Sequence, residues 1–149
     1  MDVTRSRKDS LASCTRDVFD PALRLTPAAA LSLATGMAGA LAHLHARGLT
    51  HGDFYAHNIL HDGQGQGRLG DFGAASFLAR VPPHQAARLR AMDVRALGCL
   101  MEKLVACCDA GPTALAAMGT LAQACLTSDL DSRPTAADAA CMLTRLAAG

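Results

Sequence analysis

Apolar residues recur at spacings of three and four along most of this chain, and the pattern breaks once. Thr26-Pro27 offers a capping residue followed by proline at the first helical position. Leu31, Ala34, Met37, Ala38, Leu41, Leu44 and His45 then repeat to about Arg47, where Gly48 closes the predicted helix. Residues 49–73 hold Gly63, Gly65, Gly67, Gly70 and Gly73, too many glycines for a long helix. Within them Ile59-Leu60 and Arg68-Leu69 flank Asp62-Gly63-Gln64-Gly65, which predicts a small hairpin. The helical period returns from Ala91 to about Cys108, where Val94, Leu97, Leu100, Met101, Leu104 and Val105 leave almost no polar face. Such a helix is expected to be buried on all sides. Gly111-Pro112 ends it and opens a third helix with Leu115, Met118, Leu121 and Cys125 on one face. Residues 128–133 are polar loop, and Thr135 with Asp138 forms a capping box for a last helix through Met142 and Leu146. Residues 1–25 are polar and mixed, and predict irregular structure with one short helix. The fold class that follows is mainly α with a small β hairpin, in one domain.

Composition adds limits. Half of the 149 residues are hydrophobic, which supports a real core and excludes a disordered chain. Aromatics make up 3%, so that core must be built from Ala, Leu, Val, Met and Cys. The net charge of +1 comes with no evident basic stripe or acidic tail. Arg5-Ser6-Arg7-Lys8 reads as a solvated start, and no nucleic-acid partner is expected. The six cysteines contain no C-x-x-C pair, and four of them fall in apolar helical patterns as small hydrophobes. No disulfide framework is expected, and a reducing cytoplasm is the expected compartment. The N-terminus lacks a signal-like apolar region, no apolar run reads as bilayer-spanning, and no membrane partner is expected.

The chemistry gathers in His51-Gly52-Asp53-Phe54-Tyr55-Ala56-His57-Asn58 and Gly70-Asp71-Phe72-Gly73. Taken singly, Asp53 and Asp71 are ordinary turn carboxylates. Together with Asn58 they offer three oxygen-bearing side chains from two loops joined by a hairpin that can return Asp71 to Asn58. Magnesium takes such oxygens alongside phosphate and water, and a carboxylate left off the metal can accept a hydroxyl proton. The set suits metal-assisted phosphoryl transfer.

The first string is similar to the protein kinase catalytic loop, H-R-D-x-x-x-x-N, with the same Asp-to-Asn spacing, and the second matches D-F-G. Met92-Asp93-Val94-Arg95-Ala96-Leu97-Gly98 resembles the start of the family's central helix, and Arg133-Pro134-Thr135 resembles the signature before its last helix. The chain is therefore identified as similar to a protein kinase C-terminal lobe over about residues 10–147, with 1–25 as a hinge-like leader and 26–149 as the lobe. The resemblance implies ATP and Mg²⁺ as cofactors and a protein substrate phosphorylated on Ser or Thr. It implies Asp53 as catalytic base, Asn58 and Asp71 as metal ligands, and Leu60 as the rest for adenine. His51, Phe72, Gly73, Asp93 and Arg133 would be structural support, Asp93 by anchoring the catalytic loop, while Leu100 and Leu104 would back the adenine side.

Departures from the family temper that expectation. Gly52 stands where many kinases carry the arginine that reads a loop phosphate, and residues 77–92 contain no Ser, Thr or Tyr to receive one. No phosphorylation switch of that kind is expected. No Ala-Pro-Glu motif follows, so Arg133 lacks its usual carboxylate, and Tyr55 replaces a common lysine for which His57 is a partial substitute. Upstream of His51 stand 50 residues without a glycine-rich loop or an Ala-x-Lys strand. The chain thus reads as a lobe without its partner lobe, a truncated gene product, a mis-started gene model or half of a split protein, with weak or absent activity alone. Two alternatives follow. One is a pseudokinase-like binding module whose uncovered face docks a partner. The other is a small-molecule phosphotransferase of the aminoglycoside or choline type, in which His-Gly-Asp also occurs.

Overall fold

Thr26 begins the helical body by accepting a hydrogen bond on its hydroxyl from Ala29 N–H at 3.1 Å, with Pro27 as the first helical residue. Helix α1 runs Pro27–Ala46 and buries Ala30, Leu33, Ala34, Met37, Ala38 and Leu41. In the computed structural model, which describes residues 4–5, 20–109 and 111–149, α1 lies at the centre, packed on α4 (Ala136–Ala148) and on α2 (Pro83–Ala106). Helix α3 (Thr113–Leu126) packs mainly on α2 and also touches α4 and α1.

Two small antiparallel sheets interrupt the helices. In the first, β3 (Ile59–His61) pairs with β4 (Gly67–Leu69) in the register Ile59 opposite Leu69, and the leader strand β1 (Thr4–Arg5) adds to the other edge of β3. The short helix expected elsewhere in residues 1–25 falls outside the described residues. In the second, β2 (Leu49–Thr50) pairs with β5 (Ser76–Phe77). The hairpin turn is closed by Asp62, whose Oδ1 accepts from Gln64 N–H at 2.8 Å and Gln66 N–H at 3.0 Å. Those backbone donors, Gln64 first, hold its carboxyl below the usual range. The Ser32 hydroxyl donates to Gly65 O at 3.1 Å and fastens the hairpin to α1.

The expected boundaries of α1, the hairpin, α3 and the last helix match the structure. The Thr135 capping box forms in both directions, and it too holds the Asp138 carboxyl low. Three expectations are corrected. Helix α2 begins eight residues before Ala91, at Pro83, because Pro82-Pro83 sets the first turn and Ala86, Ala87 and Leu89 sustain it. Nor is α2 buried on all sides, since Met92, Arg95, Glu102 and Lys103 face solvent. Finally, α1 is long and apolar enough to cross a membrane, with a mean hydropathy of 1.3 over its best window. Its apolar residues instead supply the centre of this core.

Helices α2 and α3 meet at Gly98. A Cβ there would lie 2.9 Å from Cys125 Cβ and 3.0 Å from Ala122 O, so α2 and α3 approach closer than an alanine permits. Gly98→Ala is expected to destabilise the fold by about 1–3 kcal/mol through overpacking, despite its better helix propensity. Urea denaturation checks this, and an unchanged midpoint would show that the helices separate freely. The cysteines at 99, 107, 108, 125 and 141 are free, and burial pushes the Cys125 thiol up to about 11.

Candidate active site

The loop between β2 and β3 is held from below by one buried carboxylate. Asp93 is 2% exposed and lies about three turns into α2, so it is not an N-terminal cap. Its Oδ2 accepts from His51 N–H at 2.9 Å and its Oδ1 accepts from Gly52 N–H at 2.9 Å. From α1, His45 Nε2 donates to Oδ2 at 2.9 Å. Three donors from two elements thus converge on a single side chain, which satisfies a charge that burial would otherwise make costly.

His51 ties the two motifs together. Its Nδ1 accepts from Asp53 N–H at 3.3 Å, so the ring proton sits on Nε2, which donates to Gly70 O at 2.8 Å. Phe54 and Phe72 both meet the His51 ring edge-on, Phe72 with a centroid distance of 4.9 Å. His51 is fully buried and acts as a bracket between Asp53 and the residue before Asp71.

Asn58 closes the loop. Its amide nitrogen donates to Asp53 O at 2.8 Å and to Asp53 Oδ2 at 3.0 Å, which turns the amide oxygen away from Asp53. Gly70 N–H donates to Asn58 O at 2.9 Å, so the hairpin brings the residue before Asp71 against the backbone of Asn58. Asp71 itself is exposed, in the left-handed region at φ 54°, and its Oδ1 accepts from Gly73 N–H at 3.3 Å. Asparagine and aspartate tolerate that conformation better than other residues with side chains. Leu60 is 37% exposed, and points out from β3 between the buried Ile59 and His61. Leu100 and Leu104 lie deeper, fully buried in the core.

Further features were not foreseen. His45 belonged to the apolar stripe of α1, and its role as a donor to Asp93 could have been sought from a polar ring on a buried face. His57 Nε2 lies 3.7 Å from Asp53 Oδ2, with the Tyr55 ring nearly parallel to the His57 ring. Arg133 finds backbone instead of a carboxylate, donating from Nε to Thr127 O at 2.7 Å and from Nη1 to Ala91 O at 2.9 Å. Gly65-Gln66-Gly67-Arg68-Leu69-Gly70 has the spacing of a phosphate-binding fingerprint, but Gly67–Leu69 is strand β4 and opens no helix. It therefore forms no phosphate cradle of that kind.

Asn58 and Asp71 carry the kind of oxygen that magnesium takes. Asn58 and Asp71 are hard oxygen donors, one amide and one carboxylate, and Asp71 keeps Oδ2 beyond its turn hydrogen bond. Among the described residues no cluster of three His, Cys, Asp or Glu side chains forms a complete metal cage. Such a site needs oxygens from a phosphate ligand and water, the usual habit of magnesium.

Catalytic-loop and D-F-G segments bracketed by a histidine and anchored on a helix aspartate define a kinase-like class of fold. The model of the protein kinase domain matches residues 6–88, more than half of the chain, and the chain belongs to that family. A search of curated proteins found no match to it.

Proposed function

We propose that this site transfers the terminal phosphoryl group of ATP to a protein Ser or Thr hydroxyl. The observation that supports this best is the shared bracket of Asp53, Asn58 and the Asp71 segment around His51. Asp53 would accept the hydroxyl proton, and the Asn58 amide holds its carboxylate in place by donating to Oδ2. Asn58 and Asp71 would hold magnesium, which when bound supplies charge neutralisation for the phosphates. Leu60, exposed beside the loop, offers an apolar seat for the adenine ring. His57, close to Asp53, would set the local charge where the family commonly carries lysine.

A titration with Mg-ATP tests the assignment. Asp71→Ala should weaken nucleotide binding by roughly tenfold, the loss of one charged ligand. An unchanged affinity would remove Asp71 from the site. Phosphate release measured with and without a protein acceptor, and with an amino-sugar acceptor, separates protein from small-molecule transfer. Measurable nucleotide binding with no transfer to any acceptor would favour the binding-module alternative, for which exposed Leu60 and Phe72 offer an apolar surface.

A further inference from the structure

The outer face of α2 carries positive charge with no local balance. At 100° per residue, His84, Arg88, Met92 and Arg95 fall within about 80° of arc on the side away from Asp93. All four are exposed, Met92 to 60%. The stripe is about 16 Å long. In sequence the arginines look scattered, and the expectation of no basic stripe is corrected by the helix that aligns them.

Among the described residues no ion pair neutralises them. From Phe72 to Met101 the sequence holds one acid, Asp93, and it points inward to the catalytic loop. Among the described residues neither Arg88 nor Arg95 forms an ion pair, and Arg95 reaches no closer partner than Cys99 Sγ at 4.0 Å. Farther along the same face, Glu102 is hydrogen-bonded to the Gln123 side chain at 2.6 Å. The acidic loop that Arg133 ties to Ala91 uses Asp129 in its own turn, on Asp131 N–H and the Ser132 hydroxyl. A face that is merely solvated is commonly laced with acids at i±4. Here the cations instead surround an exposed methionine.

The stripe is also placed for substrate. It begins one turn beyond β5, whose partner β2 runs directly into His51-Gly52-Asp53. Arg80, between β5 and α2, holds its guanidinium 5.3 Å over the exposed Phe77 ring and adds a cation in the segment that precedes the stripe. We propose that this stripe docks an acidic segment of the protein substrate, with one apolar residue seated on Met92. Calling the peptide a substrate rests on the phosphotransfer reading, whereas the docking itself does not.

The test is fluorescence anisotropy of the whole chain with a labelled Glu/Asp-rich peptide of roughly eight residues, enough to span the stripe when extended, with one central leucine. Binding should weaken as salt rises. It should exceed that of the Gln/Asn version of the peptide. Arg88→Glu with Arg95→Glu should weaken it by roughly tenfold, and Arg88→Gln with Arg95→Gln, the gentler pair, by about threefold. Asp53→Asn should leave it unchanged. Equal binding of the neutral peptide, or no effect of either double variant, overturns the proposal. So does tighter binding of a single-stranded oligonucleotide or of phosphatidylserine vesicles. Docking without Mg-ATP affinity would leave the surface standing and remove the phosphotransfer reading, and nucleotide binding without docking would do the opposite.

Discussion

Asp93→Ala is expected to destabilise the chain by about 3–5 kcal/mol, measured by urea denaturation followed by circular dichroism. The mutation deletes an acceptor that serves three donors at once, the backbone N–H groups of His51 and Gly52 and the ring of His45. Alanine leaves these donors in a site that is buried from solvent, Asp93 itself being 2% exposed, where water is a poor substitute. A small domain has about 5–15 kcal/mol in total, so the variant stands near the edge of folding. Asp93→Asn keeps one acceptor oxygen and should fall between alanine and wild type. A loss below 1 kcal/mol for alanine would mean that the loop is held by something other than this carboxylate.

Gly52→Ala should be nearly as damaging, and its effect should be local. Gly52 sits at φ 78°, where a side chain costs about 1–2 kcal/mol. A Cβ there would also collide with the carbonyl oxygen of Ala74. That oxygen belongs to the Phe72–Ala74 turn, which Phe72 packs against His51. The combined cost of about 2–4 kcal/mol is relieved most cheaply by releasing this turn. Hydrogen exchange should then accelerate at Gly73 and Ala75, while amides in α1 and α3 stay protected. Restoring the arginine common in the family would be worse, since the backbone here is shaped around the missing side chain. Unchanged exchange in residues 70–76 would show that Ala74 yields without releasing the turn.

Much of this molecule is written in local pattern. Thr26-Pro27, the Gly111-Pro112 break and the Thr135–Asp138 box set helix ends through hydrogen bonds made within one turn, so short stretches of sequence suffice to locate them. The hairpin was equally legible, because Asp62 binds its own turn and the paired strands are adjacent in the chain. The start of α2 is not legible in the pattern, because alanine and arginine favour helix without showing a hydrophobic period.

By itself, the sequence determined a mainly helical domain of the kinase family and the hairpin whose turn Asp62 closes. Tertiary structure alone decided that His45 donates to Asp93, that Arg133 finds carbonyls, that Gly52 must lack a side chain, and that scattered arginines share one face. Those features depend on residues tens of positions apart meeting in space. Local periodicity carries no information about which distant partner a buried polar group will find, and only packing settles it.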